Sequence, residues 1–163
     1  MGSVVARDDL AALCESARKA GRTIVFSNGC FDILHHGHVD YLARAKALGD
    51  VLVVGVNTDD SVRRLKGPTR PIVAEGDRAA VVAALGAVDY VCLFDEDTPY
   101  ELIAGIVPHV LVKGAGYSRD TIVGADVVEK AGGRVVAMEA LEGHSTRGII
   151  ARIRSLGEEC PED

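Results

Sequence analysis

The chain lacks any apolar run approaching the roughly 20 residues of a membrane span, and this excludes a protein built on transmembrane helices. A leader is not expected either: Met1 to Asp9 is polar and contains acidic residues, where a secretory signal would carry a basic stretch and an apolar core. Nor is there an excess of positive charge. Eighteen Lys and Arg stand against 24 Asp and Glu, a formal net charge of −6, so the broad basic face that nucleic-acid phosphates require is not expected. No two of the four cysteines, Cys14, Cys30, Cys92 and Cys160, fall in a Cys-x-x-Cys spacing. They read as free thiols of a reducing compartment, Cys30 the most reactive among them, and a cytoplasmic location is expected.

What is present is an ordinary globular composition. The 163 residues are 48% hydrophobic and 26% charged, which gives one domain with a single substantial core. The expected organisation is one unit over 1–163, with a short helix over 8–20, a core from about 22 to 155, and a frayed acidic tail from 157 to 163.

The chain is organised around Asn28-Gly29-Cys30-Phe31-Asp32-Ile33-Leu34-His35-His36-Gly37-His38. A β-branched run, Thr23-Ile24-Val25-Phe26, feeds this stretch and an amphipathic segment from Val39 to Leu48 follows it, so it reads as strand, loop and helix start. Gly37 permits close approach of backbone to a ligand, and the free N–H groups of a helix start attract anions. His35 and His38, spaced i, i+3, fall on one side of the first turn. Neutral imidazoles there can donate hydrogen bonds and charged ones can offset developing negative charge, an arrangement suited to phosphoryl or nucleotidyl transfer. Zinc is disfavoured, because no cysteine pair and no acidic third ligand accompany the histidines. His36 carries no assigned role.

Downstream, short apolar strands alternate with helices. The patterns predict strands at Thr23–Ser27, Asp50–Val56, Asp89–Phe94, His109–Lys113 and Arg134–Met138, and helices between them. Asp8 and Asp9 stand as N-caps of the first helix, Thr98 as the N-cap before Pro99 at a helix start, and Ser145 and Thr146 at the start of the last helix, with Ile149, Ile150 and Ile153 as its buried stripe. The sum is a single Rossmann-like, doubly wound α/β domain with a five-stranded parallel sheet, binding its ligand across the carboxyl ends of the strands at a topological switch point. Arg63, Arg64, Lys66 and Arg70 concentrate four cations in eight residues of an acidic chain. A solvated helix face is the plain reading, and a cradle for phosphates the preferred one. Gly114-Ala115-Gly116 opens like a dinucleotide fingerprint, but Arg119 occupies the place of the third glycine, so a nicotinamide site is discounted.

Phe31-Asp32, His35-His36-Gly37-His38 and Arg44 to Asp50 resemble the cytidylyltransferase-like nucleotidyltransferase superfamily, whose signature is His-x-Gly-His. With Asn57-Thr58-Asp59, Arg64-Leu65-Lys66-Gly67, Arg70-Pro71, Asp97-Thr98-Pro99, Leu111-Val112-Lys113-Gly114 and Gly143-His144-Ser145-Thr146, the resemblance narrows to the ADP-heptose synthase adenylyltransferases. It covers about residues 8 to 155 and implies transfer of AMP from ATP to D-glycero-β-D-manno-heptose 1-phosphate.

On that resemblance His35, His38 and Lys66 are catalytic. Gly29, Cys30, Phe31, Gly37, Arg78, Lys113, Gly114, Ser145 and Thr146 bind the nucleotide and its phosphates, and Asn28, Asp32, Asn57, Arg70 and Tyr117 contact the acceptor or line its floor. Asp32 could equally cap its own loop. No protein-held metal is implied; Mg²⁺ is expected on the ATP phosphates. A separate sugar kinase and a homodimer are the implied partners. The chain departs from the family at Gly116, where an aspartate is common, and at Arg147, where a second threonine often stands. The rival with the same chemistry is a glycerol-3-phosphate cytidylyltransferase. Such enzymes tend to carry an arginine three residues before the glycine matching Gly143, where this chain has Ala140. A rival of another class is a nucleotide-binding module without turnover.

Overall fold

The computed structural model describes residues 1–114, 122–139 and 141–156. The elements in chain order are β1 (Ser3–Val4), α1 (Arg7–Lys19), β2 (Ile24–Gly29), α2 (His36–Lys46), β3 (Val51–Asn57), α3 (Asp59–Lys66), α4 (Glu75–Ala84), β4 (Tyr90–Phe94), α5 (Tyr100–Ile106), β5 (Val110–Gly114), α6 (Ala125–Lys130), β6 (Arg134–Met138) and α7 (Thr146–Ser155). The strands form one sheet in the order β1-β4-β3-β2-β5-β6, with every pairing parallel.

Parallel strands covered on both faces must be apolar throughout, and β3 shows this most clearly, all its residues being buried. Alternate side chains serve opposite layers. Ile24, Phe26, Val51 and Val53 pack with Leu10, Cys14 and Ala17 of α1 and Leu102, Ile103 and Ile106 of α5. Val25, Leu52, Val54 and Val56 pack with Leu42 and Ala45 of α2 and Ala79, Val82 and Ala83 of α4. The helices thus lie on both faces of the sheet, as the alternating pattern predicts.

The sheet has six strands where the sequence pattern predicts five. The extra strand is β1, whose ladder extends through Ser3 N–H to the Asp89 carbonyl (3.0 Å) and Val5 N–H to the Val91 carbonyl (2.9 Å). Both its residues are exposed, and a two-residue edge strand leaves no periodicity to read. The N-caps also shift. Ala6, without a side-chain cap, precedes α1, so Asp8 and Asp9 occupy its first turn and favour the positive end of its dipole instead. Pro99, not Thr98, is the N-cap of α5.

A larger correction concerns α7. The predicted stripe Ile149, Ile150 and Ile153 is not buried: no residue of α7 is, and Ile153 is 59% exposed. The helix follows β6, an edge strand itself only half covered, so little core is available for it to pack against.

Candidate active site

The chain order reverses direction between β2 and β5, neighbours in the interior of the sheet. A crevice opens at the carboxyl ends of strands at such a point, and the signature stretch leaves β2 there. Its backbone stays in the ladder as far as Gly29, opposite Val56. Phe31 then takes a left-handed conformation (φ 48°), an uncommon one for a bulky residue and a mark of a loop held by its surroundings.

Those surroundings can be named. Asp32 is 3% exposed and its Oδ1 accepts from the N–H groups of Ile72 (2.7 Å) and Val73 (2.9 Å), while Oδ2 pairs with Arg70. Arg78 is the largest fully buried side chain. Its guanidinium donates to the carbonyls of Cys30 (2.5 Å) and Val73 (2.9 Å) and to Asp59 Oδ1 (2.7 Å). Asp32 therefore caps backbone, and Arg78 clasps the signature loop, the 70–73 segment and α3 together. Neither faces the crevice as the resemblance implied. The cation cradle dissolves likewise: Arg63 pairs with Asp60, Arg64 with Asp95 and Asp97, and Arg70 with Asp32. Of the four, Lys66 lines the crevice.

His35 is the N-cap of α2 and His38 lies in its first turn. Their rings stack with centroids 3.8 Å apart, and Phe31 meets His38 at 5.2 Å. Gly37 is the hinge of this packing, since a Cβ there would lie 3.1 Å from His144 Cβ and from the His35 ring. The Nδ1 atoms of both histidines are buried and have no hydrogen-bond partner among the described residues. Burial, and secondarily the neighbouring His35, push the His38 pKa down to about 4; burial and His144 lower that of His35. Both rings are neutral at neutral pH. Buried polar atoms left without partners cost about 1–3 kcal/mol each, a cost recovered when a ligand supplies the bond.

The crevice has two chambers that share the floor Asn28, Gly29 and Cys30. The first, about 370 Å³, is bounded further by Phe31, His35, Gly37, His38, Tyr41, Gly114, Leu141, His144, Ser145 and Thr146. Ser145 is the N-cap of α7, its hydroxyl accepting from Gly148 N–H at 3.0 Å, so a capped helix N-terminus meets the stacked histidines there. The second, about 330 Å³, is bounded by Asn57, Leu65, Lys66, Asp97, Thr98, Pro99, Lys113, Ile122 and Val123. Lys113 donates to Asn28 Oδ1 at 2.5 Å, and burial lowers its pKa to about 8. It bounds the second chamber. Asn57 is held through Ser61 (2.9 Å) at the end of β3. Cys30 is half-buried with its thiol 3.9 Å from Asn57 Oδ1. Burial raises its pKa against the pull of Lys66, Arg78 and Arg70, so it is a wall residue rather than an activated nucleophile.

Tyr41, Leu141 and His144 bound the first chamber without belonging to the residues that the sequence motifs assign to the site. Tyr41 stood three residues after His38 on the same helix face, a signal open to reading; its hydroxyl bonds Ser27 Oγ at 2.8 Å. Among the described residues no group of three His, Cys, Asp or Glu is placed to hold a metal ion, and no helix is long and apolar enough to cross a membrane. Tyr117, Gly116, Arg119, Ala140 and the acidic tail lie outside the described residues.

The chain is 54% identical over 147 residues to the bifunctional protein HldE of Syntrophotalea carbinolica, covering 90% of this chain and 30% of that protein. It is 55% identical over 152 residues to the bifunctional protein HldE of Acidiphilium cryptum, 93% of this chain and 31% of that one. The chain thus spans under a third of the length of these relatives. Among solved structures, the lipopolysaccharide core biosynthesis protein from Thermoplasma volcanium matches with a TM-score of 0.60 and 31% identity, over 76% of this chain and all of that one. The cytidylyltransferase-like family model matches residues 26–152, a span that runs from β2 through most of α7, and the chain belongs to that family.

Proposed function

We propose that the chain is an adenylyltransferase that joins ATP to D-glycero-β-D-manno-heptose 1-phosphate, giving ADP-heptose and pyrophosphate. The observation that carries the reading is the division of the crevice: stacked neutral histidines and a helix N-terminus on one side of the Asn28–Cys30 floor, two lysines on the other. The HldE relatives and the sequence motifs favour the heptose acceptor.

The nucleotide takes the first chamber, with its α-phosphate over the floor. The acceptor takes the second, its phosphate toward Lys66 and Lys113. An acceptor phosphate oxygen attacks the α-phosphorus in line; the new P–O bond forms as the bond to the bridging oxygen of pyrophosphate breaks, and the electron pair leaves with pyrophosphate. A phosphate monoester is already ionised near neutral pH, so no strong general base is needed. Catalysis is positioning plus charge stabilisation. His35 and His38 bind the charge growing on the α-phosphate and the leaving group, and the α7 N-terminus holds the phosphates. Mg²⁺ enters as MgATP and neutralises the remaining phosphate charge.

The family resemblance implies a separate sugar kinase upstream of this step. The superfamily resemblance supports a homodimer, which sedimentation velocity reads directly. Phosphorus NMR of a mixture of chain, MgATP and the heptose 1-phosphate tests the chemistry: paired signals of a new pyrophosphate diester with inorganic pyrophosphate are expected, and ATP persisting unchanged contradicts it.

A further inference from the structure

The Asp97-Thr98-Pro99 run has no task in the reaction as proposed, yet it bounds the second chamber together with Lys66 and Lys113. That chamber presents two kinds of chemistry. The lysine ammoniums suit a phosphate; the Asp97 carboxylate, the Thr98 hydroxyl and the Asn57 carboxamide suit hydroxyl groups. A carboxylate repels a second anion, so it disfavours a triphosphate there and turns a sugar phosphate with its sugar end toward residue 97.

Asp97 is also braced. Arg64 Nε donates to its Oδ1 at 2.7 Å, and the same guanidinium reaches the carbonyl and, at 3.5 Å, the carboxylate of Asp95. Thr58 donates its hydroxyl to Asp95, and Glu96 pairs with Arg7 at 2.6 Å. The neighbouring acids are thus spent on holding the loop, and neither of them bounds the second chamber. Asp97 Oδ2 takes part in none of these contacts.

We infer that Asp97 and Thr98 are specificity-determining residues that read hydroxyl groups of a polyhydroxylated phosphate acceptor, and that Arg64 is a positioning residue that fixes the Asp97 carboxylate. The inference rests on the proposed function for the acceptor's identity alone. A site built to hydrogen-bond a substrate hydroxyl loses discrimination steeply when its partner is removed. Vicinal hydroxyls need an acceptor in a fixed orientation, which the Arg64 fork supplies.

The test is pyrophosphate release by Asp97→Ala, Thr98→Val, Arg64→Met and Arg64→Lys, with heptose 1-phosphate and MgATP varied in turn. Asp97→Ala is expected to raise the acceptor KM by about tenfold or more while the ATP KM stays within about twofold, a split in the manner of a lost ground-state contact. Thr98→Val and Arg64→Met shift the acceptor KM in the same direction, and Arg64→Lys restores part of it. An unchanged acceptor KM in Asp97→Ala, or an equal rise for ATP, overturns the inference. Should wild type prefer glycerol 3-phosphate, the proposed function fails while the same split, measured on that acceptor, still decides the role of Asp97. With no turnover on any acceptor, calorimetry of the heptose phosphate decides: binding by wild type lost in Asp97→Ala supports the inference, and equal binding or none overturns it.

Discussion

His38 gives up charge in exchange for reach. Packed against His35 and Phe31, its ring is held neutral down to about pH 4, and two rings at this spacing resist carrying two charges at once. His38→Ala should lower turnover by about 10²-fold or more, the size of a lost charge-stabilising donor, with denaturant stability little changed. The depressed pKa has a thermodynamic signature of fixed sign. Below its ordinary value of 6.5 the unfolded chain takes up a proton that the folded ring refuses, so the contribution to stability is complete above pH 6.5 and is lost as pH falls toward about 4. Thermal melts between those limits should show stability rising with pH, more steeply than for His38→Ala. Arg78 belongs to the same scale. A buried guanidinium with protein partners on all three nitrogens is structural, and Arg78→Met should cost about 3–5 kcal/mol in urea unfolding, where a phosphate ligand would have raised only KM. The sequence could not disclose this, because an arginine in the first turns of a helix looks the same whether its head meets phosphate or a carbonyl.

At the scale of elements, α7 is where cap and site coincide. Its N-terminus rests on the Ser145 hydroxyl and opens into the first chamber beside the histidines. Ser145→Ala should cost about 1 kcal/mol of helix stability and raise the nucleotide KM, read by melts and steady-state kinetics, with the acceptor KM unmoved. The cap was legible from Gly143-His144-Ser145-Thr146; the exposure of Ile153 was not, since helical spacing tells which residues share a face and nothing about whether a neighbour covers it. The stretch of residues 63–70, the end of α3 and the loop after it, shows the same limit. Its cations were plain in the sequence, but the pairing of Arg63, Arg64 and Arg70 with acids lying 3 to 38 positions away is a product of the fold.

For the whole molecule, alternation of buried strands with helices sufficed to predict a doubly wound parallel sheet and a ligand crevice at its switch point, because both follow from strand burial and right-handed crossovers. The short edge strand β1 and the split of the crevice into two chambers did not follow. They depend on which loops the sheet order brings side by side: the one after β4 carrying Asp97, the end of β5 carrying Lys113, and the segment after β6 carrying His144. That juxtaposition is the basis for proposing a site that holds two substrates. Pyrophosphate release with Mg²⁺, crossing ATP, CTP, GTP and UTP against β-heptose 1-phosphate, its α anomer and glycerol 3-phosphate, tests it most directly. Turnover confined to ATP with the β-heptose phosphate is the expected result. Turnover with CTP and glycerol 3-phosphate, or none with any pair, would contradict it.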